Sequence, residues 1–250
     1  MRNYINFLAL VLFLMFSCST ENAYDCFQAS GKTIQKKFEV APFNKILVNR
    51  NVALILKQGD EFLVTAEAGE YLMSDIEAAV VDGELRLTDK NSCNFVRDYE
   101  ATKVYVTAPN ITAIRSSTQF DIVSIGVLQY DDLILFSEDY GMPGSFTIAD
   151  FRLQVISSSL KITANNLSSF YISGEVDNLT VGFYSGAGRF EGGNLIAQNV
   201  SVYHRGSNDM IVNPQQSLNG QLLGTGDLIS VNTPTSVSVE QGYTGELIMD

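Results

Sequence analysis

The chain predicts an all-β fold, read as a right-handed parallel β-helix-like solenoid preceded by antiparallel strands and hairpins; a β-sandwich is the alternative. Three observations predict it. Short β-branched runs alternate apolar with polar residues, and no stretch sustains the 3.6-residue period of a helix. Beyond Pro109 one plan recurs at a period of roughly 20 residues, which suits stacked rungs that bury their apolar residues against one another. The breaks are built from Gly, Asn, Asp and Ser, whose side chains turn a chain. Regularly spaced short strands also describe a sandwich, so that alternative stays open.

The first segment, MRNYINFLALVLFLMFS, places Arg2 before the apolar run Phe7 to Phe16. A basic start and a short apolar core describe a secretory signal peptide, too short to span a bilayer comfortably. Met15 at the −3 position spoils an ordinary cut after Ser17, whereas a lipoprotein cut needs only a small residue before the cysteine. Cys18 is therefore expected to be the acylated first residue, with the membrane as a partner through its lipid. The expected organisation is a lipoprotein signal peptide at 1–17, a lipid-anchored tether at 18–37 and one β domain at 38–250.

The chain has three cysteines. If Cys18 carries lipid, Cys26 and Cys93 remain, and an oxidising compartment allows them to pair. That bridge would close a loop of about 67 residues and add roughly 4 kcal/mol on the chain-entropy account. With His204 as the sole histidine and no C-x-x-C, no metal site is expected. A net charge of −12 argues against nucleic acid and against anionic lipid headgroups, both of which want Lys and Arg.

From Phe43 to Pro109 the alternation is that of paired strands. IEAAVVDGELRLTD reads as a hairpin whose Asp82-Gly83 pair suits the positive φ of a two-residue turn. EAGEYLMSD is expected to form a helical turn. After Pro109 the repeated unit is a Φ-x-Φ strand, a small polar corner, a second apolar pair, then Asn, Asp or Gly. Leu133, Leu153, Leu179, Val200 and Leu222 mark successive starts at intervals of 20, 26, 21 and 22 residues. The long interval is read as holding an extra strand, Phe170 to Ser173.

One corner, SGAGRFEGG, spells G-x-G-x-x-x-G from Gly186 to Gly192. A dinucleotide site needs a helix after the glycine turn, its N-terminus facing the pyrophosphate. The residues that follow, NLIAQNVSVYHR, are β-branched and broken by Asn194 and Asn199, so no helix and no nucleotide cofactor are expected. Gly186 and Gly188 should sit between short strands, with Phe190 turned into the core.

No G-x-S-x-G elbow, H-E-x-x-H or P-loop is present. Alternation puts His204 on one face with Val200 and Val202, where a corner residue bonded to backbone is expected rather than a base. Asp131, Asp132, Glu138 and Asp139 fall at corners. They read as a solvated acidic edge that discourages strand pairing, or as the acid cluster of a carbohydrate-active enzyme. Tyr171, Tyr184 and Tyr203 lie in the repeat and are candidates for glycan contact by stacking on sugar rings, against core or interface packing. The asparagines of four N-x-S/T sequons, at 110, 166, 178 and 199, read as turn residues.

Several segments together resemble the head GIN domain family of auto-transporter adhesins, exported proteins of Gram-negative bacteria. These are FNKILVNRNVALILKQGDEFLVTAEAGEYL, VDGELRLTD, VYVTAPNITAIRSST and ISGEVDNLTVGFYSGAG. The likeness covers most of residues 38 to 250. It implies an all-β, β-helix-like fold, adhesion, and no catalytic residue to carry over. YDCF with NSCNFVRDYE resembles a lipoprotein subgroup with a cysteine in each place, which supports a Cys26–Cys93 bridge. The expectation is a non-enzymatic, lipid-anchored envelope protein at the outer membrane, on its periplasmic or cell-surface face. It would present a β-solenoid surface to a glycan or protein ligand. The alternatives are a polysaccharide lyase or hydrolase, and a structural envelope protein that self-associates into homo-oligomers.

Overall fold

The computed structural model describes residues 29–91 and 102–249. The expected signal peptide, the acylation site Cys18 and both bridge cysteines, Cys26 and Cys93, lie outside the described residues. In chain order the strands are β1 (Thr33–Phe38), β2 (Lys45–Val48), β3 (Val52–Gln58), β4 (Leu63–Gly69), β5 (Ile76–Val81), β6 (Glu84–Asp89), β7 (Thr102–Ala108) and β8 (Ala113–Ser116). They continue as β9 (Ile122–Gln129), β10 (Asp132–Ser137), β11 (Phe151–Asn166), β12 (Phe170–Gly186), β13 (Phe190–His204), β14 (Met210–Leu222), β15 (Leu228–Ser230), β16 (Ser236–Gln241) and β17 (Leu247–Met249). The expected helical turn is a single 3-10 turn, Met73–Asp75.

The strands coil into a β-solenoid with two walls. Each rung lays one strand on the first wall, turns a corner, lays another on the second wall, and turns again. The first wall runs β3, β9 and the leading halves of β11 to β14, then β15 and β17, all paired in parallel. The second runs β2, β8, β10 and the trailing halves of β11 to β14, then β16, again in parallel. A sandwich of antiparallel hairpins would not pair successive units this way.

Among the described residues, antiparallel pairing is confined to β1 with β4, β4 with β7, and β5 with β6. The antiparallel strands and hairpin expected at this end are present, but they flank the coil rather than precede it. β2 and β3 already belong to the parallel coil, and β6 and β7 pack in parallel on their far side. The antiparallel strands are flaps on that end of the stack. The Asp82-Gly83 hairpin is present, with φ of 51° and 74°. β1 begins at Thr33, so pairing reaches back into the stretch expected to be tether.

Register explains the core. On the first wall Ile122, Phe151, Phe170, Phe190, Met210, Leu228 and Leu247 stand directly above one another. All but Leu247 are fully buried. The rings of Phe151 and Phe170 stack at 4.7 Å and 13°. On the second wall Leu133, Leu160, Leu179, Val200 and Leu218 form the matching column. Each such side chain contributes about 1.5–3 kcal/mol by leaving water.

These columns correct the expected repeat. Leu153 lies on the first wall, whereas Leu133, Leu179 and Val200 lie on the second, so the 26-residue interval was a change of wall. Phe170 to Ser173 is no extra strand but the first-wall half of an ordinary rung. The uneven intervals reflect residues drawn from two alternating walls.

Corners close by rung-to-rung bonds. At one corner Asn199 donates to Asn178 Oδ1 (3.3 Å) and Ser217 to Asn199 Oδ1 (2.8 Å). At the other, carboxylates of Asp150, Asp209 and Asp227 accept the amides of Ser169, Asp227 and Glu246. SGAGRFEGG forms the turn between β12 and β13. Gly186 ends β12 at φ 87°, Gly188 lies in the corner, Phe190 is fully buried and no helix follows. A Cβ on Gly186 would sit 2.1 Å from the Asn166 carbonyl oxygen, so the glycine is required by close approach of two rungs as well as by φ.

His204 occupies an inward position between Phe183 and Leu222 in the same column. It is fully buried; Nδ1 accepts the Gly206 amide (3.3 Å) and Nε2 has no hydrogen-bond partner. Burial lowers its pKa below 6.5, against the pull of the Asp209 and Asp227 carboxylates.

Two outcomes are expected. Gly186→Val costs about 3 kcal/mol in urea denaturation, since strained φ alone costs about 1–3 kcal/mol, while exposed Ser185→Ala stays within about 0.5 kcal/mol. The unfolded imidazole binds its proton near pH 6.5 and the folded one only at lower pH. The stability linked to His204 is therefore complete above that value and erodes as pH falls through the folded pKa. Between about pH 7.5 and about pH 5, His204→Leu should lose less stability than the natural protein; equal losses would contradict this.

Candidate functional site

The inward columns fill the core, so binding chemistry falls to the outward ones. On the outer second wall, Tyr203 lies beside Gly182 in register, and His204 beside Phe183. Alternation thus sends Tyr203 out and His204 in. Tyr184 follows the buried Phe183 and folds its ring back over Gly182. A Cβ there would lie 2.9 Å from the ring, so the absence of a side chain at 182 makes the seat. The two tyrosine rings meet at 5.0 Å and 30°, with Tyr184 50 % exposed.

Around this pair the wall is polar. Thr163, Gln221 and Glu240 continue the Tyr203 column, and Gln221 donates to Glu240 at 2.8 Å. Lys161, Thr180, Ser201 and Asn219 form the next outward column. An apolar aromatic face rimmed by hydroxyl, amide and charged groups can hold the C–H face of a sugar ring while bonding its hydroxyls.

Tyr171 is placed elsewhere. It lies on the outer first wall, in the column Arg152, Tyr171, Glu191, Ile211. The Arg152 guanidinium covers its ring at 4.1 Å and bridges Asp121 (3.1 Å) and Asp150 (2.7 Å). In the next rung Arg189 pairs with Glu191. The three candidate tyrosines therefore make one pair and one guanidinium-capped single, on different walls.

The four candidate acids are not brought together either. Asp131 and Asp132 stand at the leading end of β10; Glu138 and Asp139 stand beyond its trailing end. Six residues of strand separate them, about 20 Å. Glu138 is buried and bonded to Arg115 (2.6 Å) and the Gly141 amide (2.7 Å). Burial pushes its carboxyl up, yet that amide and the guanidinium outweigh burial and hold it below the usual range. Asp139 exchanges bonds with Asn165. Among the described residues no group of three His, Cys, Asp or Glu side chains could hold a metal ion.

Two elements of these sites escape inspection of motifs. Gly182 matters as the floor under Tyr184, whose ring folds back along its own strand, and rung register sets Tyr203 beside it. Arg152 matters because its column places it on Tyr171, 19 residues away.

A family model with the description "Putative auto-transporter adhesin, head GIN domain" matches residues 42–234. Among solved structures, a putative adhesin from Bacteroides fragilis superposes with a TM-score of 0.80 at 20% identity, covering 89% of this chain and 100% of that one. A putative adhesin from Parabacteroides distasonis gives 0.61 at 16% identity, covering 89% and 99%. A putative lipid binding protein from the same species gives 0.60 at 12% identity, covering 88% and 97%. At these identities the likeness is one of fold. No curated protein matches the chain.

Proposed function

Because this chain belongs to the head GIN domain family, we propose that it is an exported envelope protein that works by binding, holding a surface glycan on the Tyr184–Tyr203 pair. The observation that carries this reading is the pair itself. Two rings pack against each other, offset and tilted, on an outward wall, one seated over a glycine, with polar side chains around them. A core role would bury both, and Tyr184 is half exposed.

Binding rather than catalysis is supported by the state of the acids and the histidine. Glu138 is neutralised by Arg115, its neighbour Asp139 is bonded to Asn165, Asp131 and Asp132 lie a strand's length away, and His204 is sealed in the core. A second reading, an apolar ligand, is favoured by the outer first-wall column Ile211, Ile229, Ile248 with Val231 nearby.

The proposal includes acylation at Cys18 and a bridge between Cys26 and Cys93. Support for the bridge comes from the nearest described residues. Ser30 accepts the Tyr71 amide at 3.3 Å, and Asn91 Nδ2 donates to the Leu72 carbonyl at 3.2 Å. The chain after Cys26 and the chain before Cys93 thus reach the same turn.

On a glycan array the full chain is expected to give discrete positives that Tyr184→Ala and Tyr203→Ala each weaken about tenfold, the worth of a stacked ring, with melting temperature unchanged. Silence across the array, with pelleting of the unlipidated Cys18→Ser protein on neutral lipid vesicles, would replace the glycan by the apolar ligand. In cell fractionation, Cys18→Ser should move the protein from the detergent-extracted membrane fraction to the soluble one. The unfolded, unreduced chain should leave Cys26 and Cys93 closed to iodoacetamide; labelling at both sinks the bridge.

A further inference from the structure

The corner between the walls carries a concavity, on the edge of the second wall remote from the tyrosine pair. β11, β12 and β13 each bend there, at Ser157, Val176 and Ala197, which face inward and are buried. The bend leaves a groove of about 500 Å³ running across the rungs, floored in part by Ser157 and Val176. Along one side stand Ile156, Glu175 and Ile196, each in register with the next. Along the other stand Asp131, Ser158, Asp177 and Gln198.

Two properties of the groove bear on what it could hold. Ile156 and Ile196 are 44 % and 41 % exposed and stand either side of Glu175 in one column, so the apolar surface is continuous with the acidic one. The carboxylates of Asp131, Glu175 and Asp177 have no ion-pair partner among the described residues, although acids on the neighbouring walls are paired with Arg115, Arg152 and Arg189. No cationic residue lines the groove.

We propose that this groove binds an extended basic peptide segment, its lysine or arginine side chains meeting Asp131, Glu175 and Asp177 and its apolar side chains resting on Ile156 and Ile196. The groove's length and its alternation of isoleucine with acid decide the occupant. Rungs lie about 4.8 Å apart, so Asp131 and Asp177, two rungs apart, present charge over about 10 Å. That spread suits several cations on one chain, whereas a metal ion needs its carboxylates to converge, which they do not. Charge complementarity steers such a partner, and the isoleucines select it from simple polycations.

The test is fluorescence anisotropy of the full chain with a labelled seven-residue peptide alternating lysine and valine. The natural protein should bind it, more weakly as salt rises. Asp131→Asn/Glu175→Gln/Asp177→Asn should weaken binding at least about tenfold, and Ile156→Ser/Ile196→Ser should weaken it with its salt dependence intact. A control triple of equal charge, Asp60→Asn/Glu61→Gln/Asp82→Asn, should leave it unchanged. Asp131→Lys/Asp177→Lys should instead take a peptide alternating glutamate and valine, which a merely unfolded variant would not. The proposal is overturned by no binding to the natural protein, by equal weakening in the control triple, by indifference to the isoleucine pair, or by full displacement with millimolar calcium.

Discussion

Each rung of this protein can hold only one register against the next. Backbone hydrogen bonds between parallel strands repeat with period two, so a slip of one residue would turn every inward side chain outward. A slip of two would move Phe170 off Phe151 and Phe190 and pull the corner asparagines and aspartates off their partners. The hydrophobic columns and the corner ladders thus enforce the same alignment from different positions. That agreement lets rungs of 18 to 21 residues stack from β11 onward without a helix or a central layer to order them.

Given that alignment, the outer walls are free to carry chemistry. An outward residue needs only to avoid its neighbours in the column, and whatever stands there is repeated about 4.8 Å away by the next rung. Tyr184 and Tyr203 exploit this by sharing the space over Gly182. The corner groove exploits it differently, since its two sides are columns of single residues from successive bends. Arg152 on Tyr171 shows the opposite outcome, in which a cation from the rung below occupies the aromatic face. Position in a column, more than residue type, decides whether a tyrosine is available.

Local patterns in the chain carried much of this. Asp82-Gly83 announces its hairpin because few pairs accept two positive φ values, and the β-branched run after SGAGRFEGG rules out a helix on its own. Strict alternation around His204 is enough to place it inward. What alternation cannot show is which wall a strand belongs to, because both walls share period two. Leu153 and Leu179 therefore look alike in sequence though they lie on different walls, as do Tyr171 and the Tyr184–Tyr203 pair. The pairing of Glu138 with Arg115, 23 residues away, is equally silent in sequence, since it depends on β8 lying beside β10.

Parallel, in-register stacking is the claim on which the tyrosine pair and the groove both rest. Cysteine cross-linking on the outer second wall tests it most directly, with Thr180→Cys combined in turn with Asn199→Cys, Ser201→Cys or Tyr203→Cys. Thr180 and Ser201 are register partners, and adjacent strands hold Cα atoms within the roughly 4.4–6.8 Å that a disulfide spans. The structure predicts rapid intrachain oxidation of the 180–201 pair and little at the other two. Preferential closure of 180–199 or 180–203 would contradict the register, and with it the arrangement of both outer sites.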